Sequence, residues 1–407
     1  MSDVDLQALC RKVQVEGDPP SRLRAAVGLE RAGRPEEALR VLLPAREDLA
    51  VRTEIARIAT SAALPLRSPR VRWWIREAAW DRVLAASPLG IVCGASRQGR
   101  LAVLDPESGR PRWERPWPLG SVDSWPVQVG TVLVGHRPPH VLGLDVWTGA
   151  ELHVTQLDEA CLGVCAVGDR LVGWSSEQIW SAPLPDPRCP PGPKLWSSRV
   201  ILLERASERL PVPCVVKLEQ LLLSRGNDEW SVLDEATGER LGFLPGEIVH
   251  ADESGILVRA TAGLSYFVDP LRPAIWARQG VTFAAATSEV VMLERDERHG
   301  PGLEVVEKRT GHQRDWFSRQ TYEVRAAIGD VILATTNSGL EGSELLAVGL
   351  KGDLLWREWL GEPILSVTPW APRQLVTILG GLFDQADTQL VCLEEEPRED
   401  GARGSVL

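Results

Sequence analysis

Two cysteines and a histidine in one stretch are the residues whose types best suit metal chemistry. Cys161 and Cys165 are four residues apart on a predicted strand, where side chains at even spacing share a face, and His153 lies nearby. Zinc sites usually combine two separate ligand pairs, and no second pair occurs in the sequence. Buried free thiols are therefore the favoured interpretation, and no metal or other cofactor is predicted.

Motifs for nucleophilic catalysis or phosphate binding are missing from the sequence. It contains no HExxH zinc motif, no nucleophile motif of the Ser/His/Asp type and no phosphate-cradling loop. The glycine-containing stretch at 94–99 is too short for such a loop and is interpreted as a turn between strands. The sequence therefore predicts a protein that is not an enzyme.

Charge and composition narrow the classes of partner and the compartment. The 407 residues carry a formal net charge of −11, which argues against general binding to nucleic acid or to anionic membranes. The N-terminus, MSDVDLQALCRK, resembles no secretory signal, and no apolar run is long enough to predict membrane insertion. Seven cysteines without framework spacing are typical of a reducing compartment, so a cytoplasmic location is expected.

A hairpin-like segment recurs at a spacing of about 40 residues, and this repeat organises the chain. Residues 99–113 read GRLAVLDPESGRPRW: a short apolar strand, a turn rich in Asp, Ser and Gly, and a return strand ending in Trp. Similar segments occupy 140–153, 229–241, 302–316 and 343–356. Such self-similarity indicates a repeat architecture.

Two further strands precede each hairpin, so each unit has four strands, as in a blade of a β-propeller. Hairpin strands near Leu101, Val141, Ile179, Trp230, Leu264, Leu303, Leu345 and Leu390 predict eight blades. The third and fifth units are degenerate, which leaves seven blades as the alternative. The last unit lacks a fourth strand, and residues 71–77 are predicted to supply it and close the ring; the alternative is a basic linker at 65–77.

Residues 1–64 differ from the rest and predict a small α-helical segment. Helices are expected over 3–15, 21–32, 35–44 and 47–62, with Ser21 as an N-cap and Pro35 at a first helical position. Ala26, Ala38, Ala45, Leu29 and Leu42 fall where a tetratricopeptide-like hairpin needs small and large residues, although a generic helical hairpin fits as well. The predicted domains are thus 1–64 (helical), 65–395 (propeller) and an acidic tail at 396–407.

The pattern of apolar strand, Asp, Thr-Gly and Trp resembles the repeats of pyrroloquinoline-quinone-type (quinoprotein-like) propellers over residues 71–395. This resemblance implies that the recurrent Trp113, Trp196, Trp276, Trp316 and Trp356 dock between blades. Enzymes of that family imply a quinone, a calcium ion, a catalytic Asp and a disulfide between adjacent cysteines. No two cysteines are adjacent here, so a degenerate quinone-dependent dehydrogenase is the least favoured function.

Loops and turns on a rigid ring are the predicted partner-binding positions. On the loops between second and third strands the candidate residues are His136, Arg137, His140, Arg225, Asp228, Arg295, Arg298, Phe383 and Asp384. On the opposite face Trp147 and Trp370 lie in turns, where each either anchors a partner or folds under the helices. The favoured function is a non-catalytic protein-interaction scaffold or assembly factor with unidentified protein partners. A propeller that senses a small molecule through its central channel is the alternative.

Overall fold

The computed structural model describes residues 13, 17–61, 65–78, 80–96, 98–117, 125–137, 139–157, 161, 163–175, 177–199, 215–225, 229–261, 263–295, 302–318, 322–337, 343–370, 373–380 and 388–396. Their strands form eight antiparallel sheets of four strands each. Many of these strands are buried on both faces, because each sheet is packed between two neighbouring sheets. The chain is an eight-bladed β-propeller, so the seven-bladed alternative is wrong.

Within each of blades 1 to 7 the four strands follow one another from the centre of the ring outwards. Blades 1 to 4 comprise β2 (Arg82–Ser87), β3 (Gly90–Ala95), β4 (Arg100–Leu104), β5 (Pro111–Pro116); β6 (Val127–Val129), β7 (Val132–Arg137), β8 (His140–Asp145), β9 (Glu151–Gln156); β10 (Gly163–Val167), β11 (Arg170–Trp174), β12 (Gln178–Pro183), β13 (Trp196–Arg199); and β14 (Val215–Leu218), β15 (Leu221–Arg225), β16 (Glu229–Asp234), β17 (Arg240–Pro245). Blades 5 to 7 comprise β18 (Glu247–Asp252), β19 (Gly255–Ala260), β20 (Gly263–Phe267), β21 (Trp276–Arg278); β22 (Val281–Ala286), β23 (Val290–Arg295), β24 (Gly302–Glu307), β25 (Gln313–Ser318); and β26 (Tyr322–Ile328), β27 (Val331–Asn337), β28 (Ser343–Gly349), β29 (Leu354–Trp359).

Blade 8 joins the two ends of the propeller. It contains β30 (Ile364–Trp370), β31 (Gln374–Leu379), β32 (Thr388–Glu395) and, as its outermost strand, β1 (Pro69–Ala78), which precedes blade 1 in the chain. The predicted closing segment at 71–77 lies within β1. Ion pairs hold this seam: Glu394 bridges the guanidinium groups of Arg70 (2.6 Å) and Arg72 (2.9 Å). No covalent turn links β32 to β1, so side-chain and ladder contacts alone close the ring.

Three helices precede the ring: α1 (Pro19–Arg31), α2 (Pro35–Leu42) and α3 (Leu49–Ser61), with a 3₁₀ turn at Leu43–Ala45. The predicted N-cap at Ser21 is wrong. Asp18 caps α1 by accepting a hydrogen bond from the Ser21 amide at 3.0 Å, because Pro19 and Pro20 fit the first turn, where no amide is needed. All of the predicted first helix (3–15) except residue 13, and residues 397–407 of the acidic tail, lie outside the described residues.

A tryptophan on the outermost strand connects each of five blades to the next blade. Its indole N–H donates to a backbone carbonyl of that blade in the pairs Trp73–Pro106 (3.0 Å), Trp113–Val146 (2.8 Å), Trp196–Glu235 (2.9 Å), Trp276–Lys308 (2.8 Å) and Trp356–Leu66 (2.5 Å). At the first four interfaces the ring also covers a turn glycine whose φ is 70–71°: Gly109, Gly149, Gly238 and Gly311. Glycine is needed there both for that backbone conformation and for the close approach of the ring.

The three remaining interfaces lack the tryptophan, and there the receiving turn lacks the Ser/Thr-Gly sequence too. At the 2/3 interface His153 takes the position, with Nε2 3.1 Å from the Pro187 carbonyl oxygen. At the 4/5 interface Gly242 occupies the position of the docked tryptophan, and Leu271 of blade 5 approaches the Gly242 backbone. The prediction that Trp316 shares the recurrent position is wrong, because Asp315 occupies that register and Trp316 follows it. A docked tryptophan and a Ser/Thr-Gly turn therefore occur together at four interfaces, whereas Trp356 docks on the Leu66 carbonyl, before β1.

Substituting a docked turn glycine should cost more than substituting a turn glycine that no ring covers. A Cβ atom at Gly238 would lie 2.2 Å from Trp196, whereas one at Gly130 would have no heavy atom within 4 Å. Both residues have positive φ, so backbone strain is common to the two substitutions. We expect Gly238→Ala to lower the free energy of unfolding by about 2 kcal/mol more than Gly130→Ala does, as measured by urea denaturation. Equal losses would show that the ring contact contributes nothing.

Candidate interaction surfaces

The two faces of the ring carry different connections, because successive strands of a blade run in opposite directions. The turn face carries the turns between first and second strands and between third and fourth strands; the loop face carries the other connections. The helices pack on the turn face, since Leu89, in the first turn of blade 1, belongs to the apolar core of the helical segment. Arg46–Glu107 (2.7 Å) and Glu36–Arg373 (2.9 Å) add ion pairs to blades 1 and 8. The helical segment is thus part of one rigid unit with the ring.

A buried carboxylate joins three parts of the chain on the turn face. Asp145, in the turn of blade 2, lies 3.3 Å from the Arg52 guanidinium of α3 and 3.0 Å from that of Arg188 of blade 3. It also accepts hydrogen bonds from the amides of Trp147 and Thr148. Burial by itself raises the pKa of Asp145, but these hydrogen bonds and the two arginines outweigh it and hold the pKa below its usual value. The carboxylate therefore stays charged and fastens the helices to blades 2 and 3.

The two turn tryptophans are not open anchors. Trp147 is half-buried under the helical segment, where the Arg112 guanidinium lies 3.6 Å from its ring centroid and those of Arg46 and Arg52 lie within 6 Å. Trp370 is buried among core residues between blades 8 and 1. The predicted role of both residues as partner anchors is therefore wrong for the folded chain, and for Trp147 the alternative of folding under the helices is correct.

Histidine and arginine candidates on blade 2 lie on strands and not in a loop. His136 and Arg137 end β7, and His140 begins β8, opposite Arg137 in the ladder. His136 is only 1% exposed, which contradicts its assignment to a partner surface. Strand alternation explains this, because neighbours in a strand point to opposite faces: Arg137 is exposed while His136 is directed into the blade. Arg137 and the half-buried His140 remain accessible on the loop face.

Two arginine candidates are used within the ring. The Arg225 side chain is 12% exposed, and its guanidinium lies 3.8 Å from Glu247 of the next blade. The Arg295 guanidinium is 3.5 Å from Glu304, a glutamate that is 1% exposed and also pairs with Arg278 at 3.0 Å. These arginines balance carboxylates inside the fold, which weakens their assignment as partner contacts. Asp228, Arg298, Phe383 and Asp384 lie outside the described residues.

The cysteines predicted to share a face do not do so. Cys161 precedes strand β10 and packs in the core between blades 2 and 3, whereas Cys165 packs between blades 3 and 4. Both thiols are buried, and the Cys161 Sγ donates to the Gly163 carbonyl at 3.3 Å. Among the described residues no three His, Cys, Asp or Glu side chains are grouped as a metal site would require. Burial also raises the pKa of the Cys392 thiol to about 12.

A buried lysine on the turn face was missed by sequence reasoning. Lys308, in the turn of blade 6, is 1% exposed and pairs with Asp252 in the first turn of blade 5. Asp252 also contacts His250 Nε2 at 3.1 Å and accepts from the Ser254 amide at 2.9 Å. Burial tends to raise the pKa of Asp252, but the hydrogen bonds from His250 and Lys308 hold it well below the usual value. Because the residues of this cluster come from separate repeats, no local motif indicates it; its evident role is to join blades 5 and 6.

Large exposed apolar side chains gather on the outer rim of blades 4 and 5. Leu241, Phe243, Val268, Leu271 and Ile275 are each between 43% and 48% exposed. We call these five residues the rim cluster. Elsewhere in the described chain, exposed apolar side chains are spread over the helices and four other blades, for example Val154 of blade 2. The rim cluster is thus the largest such concentration in that part of the protein, and sequence reasoning did not name it.

The degenerate turn of blade 5 produces this cluster. The turn is held by Asp269, which accepts from the Leu271 amide at 2.9 Å and pairs with Arg272 at 3.1 Å. It carries Leu271 to within 3.1 Å of the Cβ position of Gly242, on the side of β17 that faces blade 5. Phe243 alternates with Gly242 and so extends from the other side of the same strand, whereas Leu241 is the extra residue of a β-bulge opposite Val232 and Leu233. The edge of β17 therefore has apolar side chains on both sides.

Comparison with solved structures supports the fold. The chain is similar to BamB from Moraxella catarrhalis, with a TM-score of 0.52 and 14% sequence identity over 80% of this chain and 99% of that one. It is equally similar to the computationally designed Ika8 protein, with a TM-score of 0.53 and 16% identity over 81% of this chain and 99% of that one. No protein-family model and no curated protein sequence matches the chain.

At this level of identity the likeness to BamB concerns the β-propeller architecture alone. The helices in the described ranges include none with the length and apolarity needed to cross a bilayer.

Proposed function

We propose that this protein is a non-catalytic interaction scaffold that holds protein partners on a rigid propeller, and that it works in the cytoplasm. The rim cluster carries this proposal. Five large apolar side chains are exposed on two adjacent blades. Their exposure to water costs free energy, and burial against a partner would remove that cost. The fold that the chain shares with BamB is consistent with a role in protein interaction or assembly.

The rigidity of the ring supports the same role. Docked tryptophans and the seam of blade 8 join the blades to one another, and the Arg52–Asp145 ion pair joins the helical segment to blade 2. A partner bound at the rim would therefore be held at a defined distance and angle from the helical segment. A scaffold that presents two proteins to each other needs this property.

A pair of variants tests the proposal. Phe243→Asp combined with Leu271→Asp places two charges in the rim cluster, and Val154→Asp places one on an equally exposed apolar position of blade 2. In cross-linked capture from native extract, we expect a defined set of proteins with the wild type and Val154→Asp. Recovery with the rim variant should fall about tenfold, the loss expected from removing hot-spot contacts. Equal recovery with all three proteins would refute a role for the rim cluster.

Purified protein tests the non-catalytic part separately. Native mass spectrometry and absorbance of the full chain should show no bound redox cofactor, and added quinone and calcium should support no dehydrogenase activity. A stoichiometric cofactor would instead favour the quinone enzyme. Cell fractionation tests the location, since recovery of the protein outside the cytoplasm would contradict that part.

A further inference from the structure

We propose that the rim cluster receives its partner by strand addition: an extended segment of another protein, acidic at its C-terminal end, pairs with the free edge of β17. This inference rests on the proposed scaffold function and names the kind of partner segment. Three features of β17 (Arg240–Pro245) carry it: an unpaired edge whose middle has neither charge nor proline, apolar side chains on both sides of that edge, and a cation at one end.

The edge of β17 is open. β17 is the outermost strand of blade 4 and pairs only with β16 among the described strands. Pro245 has no amide hydrogen, so its nitrogen must point away from β16, and by alternation the amide and carbonyl of Phe243 point outwards as well. A segment laid along this edge would find backbone hydrogen-bonding groups of β17 directed towards it.

The middle of this edge carries none of the residues that protect edge strands. Such residues are charges and prolines, and β5 of blade 1 has Arg112, Glu114 and Arg115 between two prolines. In β17 a charge and a proline occur only at the two ends, at Arg240 and Pro245, and the residues between them read LGFL. Natural edges of this length are normally blocked against pairing, so an edge left open and apolar is suited to a partner strand.

Charge determines the polarity of the added segment. The Arg240 guanidinium lies 4.6 Å from the centroid of the Phe243 ring, and no carboxylate of the described residues lies within ion-pair distance of it. All pairings within the blade are antiparallel, so an added strand would bring its C-terminal end beside Arg240. Acidic residues at that end would complete the pair. A second copy of this chain fits less well, since antiparallel self-pairing of β17 sets Arg240 opposite Pro245.

A set of capped peptides of about ten residues tests the proposal directly. Valine and threonine alternate in the probe, and its C-terminal end carries two aspartates; its counterpart carries two lysines there. We expect the full-length protein to bind the acidic peptide at least about tenfold more tightly in fluorescence anisotropy. Arg240→Glu should reverse that preference, and Leu241→Lys with Phe243→Lys should abolish binding, whereas Val154→Lys should leave it unchanged. No binding of the acidic peptide at about 1 mM would overturn the proposal.

N-methylation of the peptide separates strand addition from simple apolar contact. In one set of peptides the methylated amides face β17, and in the other set they face solvent. Only the first set should bind more weakly, by about tenfold or more. If both sets weaken binding equally, strand addition is overturned. The scaffold function would still stand in that case, provided that the rim variant captures fewer proteins than the wild type. Sedimentation of the wild type tests self-association. If the wild type forms dimers and the double variant Leu241→Lys with Phe243→Lys does not, a second copy of this chain occupies the edge. That result would overturn the proposal of a segment from another protein.

Discussion

An asparagine in place of Asp145 should lower the free energy of unfolding by about 3 kcal/mol, because it leaves buried Arg52 and partly buried Arg188 without their shared carboxylate. The asparagine side chain can still accept the turn hydrogen bonds from the amides of Trp147 and Thr148. The loss of unfolding free energy therefore measures the effect of the carboxylate charge and not that of the turn hydrogen bonds. The measurement is urea denaturation of the full chain at neutral pH, combined with limited proteolysis of the helical segment.

Asp234→Asn is the matched control. Asp234 holds the equivalent turn of blade 4 through the amides of Ala236 and Thr237 but forms no ion pair within 4 Å among the described residues. Its substitution should cost less than about 1 kcal/mol. Equal losses for Asp145→Asn and Asp234→Asn would mean that the arginines at Asp145 add nothing.

The sign of the pH dependence follows from the lowered pKa of Asp145. A carboxyl group whose folded-state pKa is depressed stabilises the fold above its unfolded pKa, near 4 for Asp, and this contribution is lost as the pH falls through the folded pKa. The difference in stability between wild type and Asp145→Asn should therefore be complete at neutral pH and shrink in acid. A difference that grew in acid would contradict the ionised state of Asp145.

Removing a docked tryptophan should have a comparably large effect. Trp276 is 9% exposed, stacks on Tyr266 with ring centroids 5.6 Å apart and donates to the Lys308 carbonyl at 2.8 Å. Trp276→Ala should cost about 3–5 kcal/mol, because it leaves a cavity between blades 5 and 6 and an unpaired carbonyl. The free energy of unfolding in urea measures this loss.

The exposed tryptophan of the ring supplies the comparison. Trp359, on the outermost strand of blade 7, is 51% exposed, so Trp359→Ala should cost less than about 1 kcal/mol. Similar losses for Trp276→Ala and Trp359→Ala would mean that residue size alone, and not docking, sets the cost. Trp276→Ala should weaken the 5/6 interface and leave the seam of blade 8 unchanged. Hydrogen exchange of β1 and β32 should therefore be the same in the variant as in the wild type.

The candidate site was less accessible to sequence reasoning than the fold. Loops were expected to carry the partner contacts, yet His136 is buried on a strand and Trp370 lies in the core. Arg225 and Arg295 were recognised as polar candidates, but their carboxylate partners come from other strands. The rim cluster combines residues from two blades, so no single segment of the chain indicates it.

The sequence by itself determined the repeat, the eight blades and four of the recurrent tryptophans, because these depend on contiguous residues. A turn that needs a glycine at positive φ, an apolar strand before it and a tryptophan after it lie within about 15 residues. Tertiary structure decided which tryptophans dock, since four of the five need a glycine turn in the next blade and Trp356 needs the Leu66 carbonyl before β1. It also decided the pairing of Arg52 with Asp145, 93 residues away, and of Lys308 with Asp252, 56 residues away. The packing of the helices on the ring and of neighbouring blades on each other creates these contacts.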